Sequence, residues 1–148
     1  MTQVPSAGTA PLVGKVIYTA RIRTTGGRES GTARSSDGLL DVRLSAPGSG
    51  RLGTNPEQLF AAGWSASLEG AIALAARRKG IVLPAETSID TEVDLSLVDG
   101  GYFLSARLDI SLPGVEREVA QGIVEEADRI CAYSKATRGN IDVTIRVV

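Results

Sequence analysis

The stretch that most constrains this 148-residue chain is NPEQLFAAGWSASLEGAIALAARRKG, residues 55–80. It predicts one long helix with both ends specified. Asn55 is a good N-cap, Pro56 suits the first helical position, Gln58 completes a capping-box pattern, and Gly80 is a natural stop. Arg77, Arg78 and Lys79 fall in the last turn, where cations favour the helix dipole. Leu59, Gly63, Ser67, Ala71, Leu74 and Ala75 share one face of this helix. The middle of that face is nearly flat, so whatever packs against it comes close. Ser67 stands where a core helix ordinarily carries Leu or Ile.

Strand patterns flank the helix on both sides. Residues 16–24, VIYTARIRT, alternate apolar and polar; Gly26-Gly27 then turns the chain, with Arg28 just past the turn. Residues 30–35 and 39–45 continue an antiparallel meander by their short turns. After the helix, residues 88–98 and 102–112 alternate on either side of Gly100-Gly101. A second helix follows Pro113-Gly114, with Val119, Ile123, Ala127 and Ile130 at helical spacing and Cys131 at its end. Residues 141–148, IDVTIRVV, form a last strand. The predicted order is βββ-α-ββ-α-β, an α+β class with antiparallel sheets. No internal repeat or linker divides it. Residues 1–14 read as a flexible tail and residues 15–148 as a single domain.

Composition narrows the function. Hydrophobic content of 43% against 22% charged residues places the chain among globular proteins. A net charge of −1 offers no positive field to gather phosphates, so nucleic acid is not an expected partner. No apolar run is read as crossing a bilayer, and the N-terminus has no basic, apolar leader pattern, so a cytoplasmic protein is expected. The chain has no histidine, which excludes Ser-His-Asp and Cys-His catalysis and histidine metal sites. Its single cysteine, Cys131, excludes an intrachain disulfide and a cysteine-rich zinc site.

Individual residues give limited signals. The loop GSGRLG (48–53) is a literal G-x-G-x-x-G, but the helix starts only after its last glycine and a meander precedes it. A dinucleotide site is therefore not expected there. Ser67 lacks an activating base and lies twelve residues past the cap, roughly 18 Å from the dipole end. On those grounds it is a small packing residue. Cys131, alone at a helix end, is either a buried small hydrophobe or a partly exposed thiol. Arg28 and Glu57 are ordinary charges taken singly.

Three stretches read together link them: TGGR (25–28), GTNPEQLFAAGWSAS (53–67) and ICAYSKATRGNIDV (130–143). From about Lys15 to Val148 the chain resembles the organic hydroperoxide resistance proteins, the Ohr branch of the OsmC-like superfamily. The resemblance implies an intertwined homodimer with the two central helices packed in its middle. On that reading the flat face would meet the partner subunit's helix.

It also implies a cytoplasmic thiol peroxidase that reduces organic and lipid hydroperoxides. The reductant would be dihydrolipoyl groups on a carrier protein, with no metal, flavin or nucleotide cofactor. Carried over by motif, Arg28 and Glu57 are the pair that orients the peroxidatic thiolate, Cys131 is the resolving cysteine, and Ser67 occupies the peroxidatic position. A hydroxyl cannot perform that redox chemistry, so the chain as written is expected to be inactive. Trp64, Leu68, Ala132 and Lys135 depart from the family pattern in ways that alter pocket shape. The serine fits either a deliberate cysteine replacement or a natural member that now only binds lipid or fatty acid. The retained Arg28, Glu57 and Cys131 favour the replacement.

Overall fold

In the computed structural model, which describes residues 13–148 together with Thr2 and Gly8, the long helix forms as the sequence predicts. This helix, α1, spans Pro56–Arg78. Asn55 Oδ1 accepts a hydrogen bond from the Gln58 N–H at 2.9 Å. The capping box is only half made, because Gln58 Oε1 accepts from Thr54 Oγ1 at 2.7 Å. The cations of the last turn find a carboxylate: Arg78 and Lys79 approach Glu126 at 3.1 and 3.8 Å.

Before α1 lies a small antiparallel sheet of β1 (Ile22–Thr25), β2 (Thr32–Ser35) and β3 (Asp41–Arg43). The sequence reading started β1 at residue 16, but the strand begins only at Ile22. Val16, Ile17 and Tyr18 are exposed, so the alternating pattern has no buried face to serve within its own chain. The expected tail, residues 1–14, falls almost wholly outside the described residues.

After α1 come β4 (Ser88–Val98) and β5 (Gly101–Ser111), paired antiparallel along their full lengths. Helices α2 (Arg117–Ile130) and α3 (Ala132–Thr137) lead to β6 (Asp142–Val147). Two expectations need correction here. Strand β6 pairs parallel to β5, so the second sheet is mixed. Two helices separate these strands, and a crossover of that length returns the chain to the end from which β5 began. The short α3 was also missed, because six residues after a helix end carry no period of their own. Cys131 is the joint between α2 and α3: it closes one and opens the other with φ −62° and ψ 127°.

The core lies between α1, α2 and the second sheet. Trp64, Leu68, Ile72, Leu108, Ile110 and Ile123 are fully buried. Ala120, Ile123, Val124 and Ala127 supply the buried stripe of α2 at helical spacing. By length and composition α1 could cross a bilayer, contrary to the sequence reading. Its apolar residues instead form part of this core, where Trp64, Leu68, Ala71, Ile72, Ala75 and Ala76 are buried.

The flat face of α1 has an occupant from the same chain. A side-chain carbon at Gly63 would lie 2.9 Å from Tyr133 Oη, so the ring on α3 can sit there only because residue 63 is glycine. At Gly63 that face is thus covered from within the chain. The small residues of α1 left exposed are Ala62, Ala66, Gly70 and Ala73, on a neighbouring stripe.

Charges tie the outer face of the second sheet together. Arg107 bonds Glu92 at 2.7 Å and Asp94 at 2.6 Å, and Arg146 bonds Asp109 through two nitrogens at 2.6 and 2.7 Å. Hydrogen bonds from Arg107 and Arg146 hold the Asp94 and Asp109 carboxyls below the usual carboxylate range.

Candidate functional site

Arg28 is delivered by the tight turn between β1 and β2. Gly26 and Gly27 have φ of 76° and 75°, in the left-handed region. The Gly31 N–H donates to the Gly27 carbonyl at 2.9 Å. A side chain at Gly31 would collide with the backbone of Thr25 and Gly27. The closed loop presents Arg28 to the first turn of α1. One guanidinium nitrogen, Nη2, donates to both carboxylate oxygens of Glu57, at 3.2 and 2.9 Å. Both oxygens are engaged, though not by the two-nitrogen fork of a bidentate pair. Glu57 also lies in the helix's first turn, where a carboxylate is favoured.

The pair borders a cleft of about 510 Å³ that also takes in Asn55, Gln58, Ala61, Thr91, Val93 and Leu95. Its composition, apolar along β4 and charged at α1, suits a ligand with a polar head and an alkyl body. Thr91 was not singled out by sequence. Its hydroxyl is buried and has no hydrogen-bond partner among the described residues. A threonine on an alternating strand gives no signal that would have found it.

Ser67 and Cys131 form a second cluster. Ser67 Oγ lies 3.5 Å from Cys131 Sγ, across 64 residues of sequence. Of the two openings the sequence left for Cys131, the buried one is observed, since the residue is 2% exposed. Phe60 packs edge-on to both Trp64 and Tyr133, with ring centroids 5.7 and 6.4 Å apart, forming an aromatic wall beside the cluster. The structure thus brings Arg28 to Glu57 and Ser67 to Cys131. It does not bring the two pairs together within one chain. Ser67 follows Glu57 by ten residues, roughly 15 Å along α1, and neither Ser67 nor Cys131 borders the Arg28 cleft.

The loop GSGRLG behaves as a plain connection. Leu44 and Thr54 form a parallel bridge across its ends. A side chain at Gly53 would come within 3.0 Å of the β3 backbone. Among the described residues, no three His, Cys, Asp or Glu side chains gather as a metal site.

An α+β chain built this way, with a capped central helix carrying Glu57 and Ser67 and a joint at Cys131, has known relatives. The OsmC-like protein family model matches residues 47–146, and the chain belongs to that family. Within it, the chain is 48% identical over 135 residues to an organic hydroperoxide resistance protein of Xanthomonas axonopodis pv. citri, covering 88% of this chain and 94% of the relative. It is 38% identical over 134 residues to the organic hydroperoxide resistance protein OhrB of Bacillus subtilis. The crystal structure of OhrB superposes with a TM-score of 0.83, covering 90% of this chain and 100% of that one. An organic hydroperoxide resistance protein from Legionella pneumophila superposes equally well, also at 0.83, with 38% identity and 90% and 98% coverage.

Proposed function

We propose that this chain is an organic hydroperoxide reductase scaffold of the thiol type, with Ser67 in the position of the peroxide-attacking sulfur. The observation that carries the reading is the 3.5 Å approach of Ser67 Oγ to Cys131 Sγ. Two residues far apart in sequence are placed side by side in a largely apolar setting. A cysteine at 67 would use that contact to form a disulfide.

With a thiolate at 67, attack on the outer oxygen of ROOH breaks the O–O bond. The sulfur is oxidised to sulfenic acid, and the leaving alkoxide takes a proton as ROH. The Cys131 thiol then displaces water from the sulfenic acid and forms a disulfide. A dithiol of the dihydrolipoyl class reduces that disulfide by exchange. A serine oxygen cannot carry the first step, so the chain as it stands is inactive. A single, buried free thiol also fits a reducing compartment such as the cytoplasm.

The separation of the two pairs supports a homodimer in which Arg28 and Glu57 serve the partner's residue 67. The chain exposes 10721 Å². A compact monomer of 15.4 kDa exposes about 7,200 Å². An allowance of about 150 Å² for each of twelve residues still leaves an excess of roughly 1,700 Å². The surface available for pairing includes the Ala62, Ala66, Gly70 and Ala73 stripe and the exposed Leu95, Leu97, Val98, Tyr102 and Phe103.

The deciding experiment is Ser67→Cys assayed with an alkyl hydroperoxide and dihydrolipoamide. Fast turnover, together with a disulfide between position 67 and Cys131, is expected. Absence of turnover in a folded variant sinks the enzyme reading. The second reading is a non-catalytic lipid or fatty-acid binder, which Ser67 itself favours. It predicts fatty acid retained through purification, visible by native mass spectrometry, and little gain from Ser67→Cys.

A further inference from the structure

The first sheet gathers arginines on one of its faces. In its register Arg23 of β1 stands opposite Arg34 of β2, and Arg34 stands opposite Asp41 of β3. Two residues along the strands, Thr25, Thr32 and Arg43 face the same way. The Ser36 N–H donates to the Arg21 carbonyl at 3.0 Å, which extends the β1–β2 pairing and adds Arg21 to that face. Arg21, Arg23 and Arg34 border one depression of the surface. Arg43 and Arg51 border another, together with Ser30 and Thr32. All five arginines are exposed. Arg34 pairs with Asp41 at 2.8 Å, whereas Arg21, Arg23, Arg43 and Arg51 make no ion pair among the described residues. Like charges directly opposite on a sheet are destabilising, so the Arg23–Arg34 pairing costs stability, and Asp41 is the one carboxylate among the strand residues of that face to offset it. Charge is also segregated along the chain. Residues 15–54 hold seven cations against three carboxylates, and residues 55–148 hold nine against fourteen.

We propose that this arginine face docks an acidic protein domain, the one that carries the reducing dithiol. The choice of partner rests on the peroxidase reading above. Of the reactants in that scheme, the hydroperoxide is small enough for the cleft beside Arg28, and the reductant is the one expected on a protein. The face lies next to that chemistry, because the turn joining β1 to β2 carries Arg28. Guanidinium groups take carboxylates through paired hydrogen bonds, which suits them to an acidic protein surface. A bilayer fits less well. The strand residues set between the arginines are Thr25 and Thr32, so this face has no apolar side chain to enter the lipid. Exposed ion pairs are individually weak, so the face acts by steering and orienting its partner. The remainder of the chain is net negative and repels an acidic domain, which leaves this sheet as the attractive approach.

The first test uses the chain as it stands, with Ser67. A lipoylated carrier domain of net negative charge is titrated into it by calorimetry at low and at high salt. Binding at low salt that weakens at least about tenfold at high salt is expected. Arg23→Glu/Arg43→Glu should weaken the low-salt binding by about tenfold or more. Arg117→Glu on α2, a charge reversal away from the face, should leave it unchanged. Should the double reversal fail to fold, Arg21→Gln/Arg51→Gln, outside the strands, should still weaken binding by about threefold. The second test uses the Ser67→Cys background. There Arg23→Glu/Arg43→Glu should raise KM for the carrier-bound dithiol by about tenfold and leave kcat/KM for free dihydrolipoamide unchanged. The proposal is overturned if the carrier does not bind, or if Arg117→Glu weakens it as much as the arginine-face variants do. An equal loss with free dihydrolipoamide overturns it as well. So does a double reversal that abolishes sedimentation with phosphatidylglycerol vesicles while carrier binding stays intact, which would make the face a membrane surface. The first test needs no turnover. Carrier binding beside an inactive Ser67→Cys keeps the docking face and removes only the peroxidase reading; an active Ser67→Cys without carrier binding does the reverse.

Discussion

The two three-stranded sheets of this molecule have the same strand count and opposite support. The second sheet buries Ala106, Leu108 and Ile110 of β5 against α1 and α2. The first buries little more than Ala33, and all of β1 is exposed. Neither helix packs substantially on the first sheet; the Leu44–Thr54 bridge and the Arg28–Glu57 pair tie it to the rest. The second sheet shares one core with α1 and α2. The first behaves as an arm whose stability depends on something added, and it carries Arg28. Stability and positioning are thus divided between the sheets, and the difference can be tested from the strong end to the weak.

Leu108→Ala should show the largest effect, a loss of about 2–5 kcal/mol in denaturant unfolding. Val42→Ala in β3 should cost below about 1 kcal/mol under conditions that keep the chain monomeric. Equal costs would dissolve the comparison. Next, in the Ser67→Cys background, Arg28→Ala should lower peroxide turnover by about a hundredfold with little change in Tm. Mixing that double variant with chains that retain Ser67 and Arg28 should restore activity, because an intact arm then reaches a subunit with a thiol. No recovery would place the arm's action within its own chain.

Gly63→Ala should destabilise by about 1–3 kcal/mol as the methyl meets Tyr133 Oη, with most of the loss recovered in Gly63→Ala/Tyr133→Phe. The smallest effect is acid sensitivity on the second sheet. Asp94 and Asp109 have depressed carboxyl pKa values, so their contribution is present above the ordinary value of 3.8 and lost as pH falls through the lower folded values. Arg146→Ala should lower Tm by about 1–3 °C at neutral pH and flatten the fall in Tm below pH 3.8.

The sequence made α1, β4, β5 and α2 legible because period and end signals agree there. Asn55 caps and Gly80 stops; the alternating stretch 88–98 has the bounds of β4, although its apolar residues are covered only as far as Val93 and Leu95, Leu97 and Val98 are exposed. It misjudged what depends on distant partners. The parallel pairing of β6 follows from the path of α2 and α3, and local pattern cannot encode it. The start of β1 failed because alternation at 16–21 predicts a buried face that this chain does not supply. Arg28, Glu57, Ser67 and Cys131 could be named, and paired, from their motifs, but only coordinates show the Arg28–Glu57 pair standing apart from Ser67 and Cys131 within one chain. The orphaned atoms of Trp64, Thr91 and Ser134 were invisible, because an unmade hydrogen bond leaves no trace in residue order.

The joint at Cys131 has a mechanical meaning. Its extended backbone separates two helices, and it is held by both: its N–H donates to the Ala127 carbonyl at 2.9 Å and its carbonyl accepts from the Lys135 N–H at 3.0 Å, so the buried sulfur has a fixed place beside position 67. A bond from that sulfur to position 67 would therefore pin α1 to the junction of α2 and α3, joining three helices at one point. Because Tyr133, two residues further on, is seated on Gly63, the same junction already meets α1 one turn before position 67.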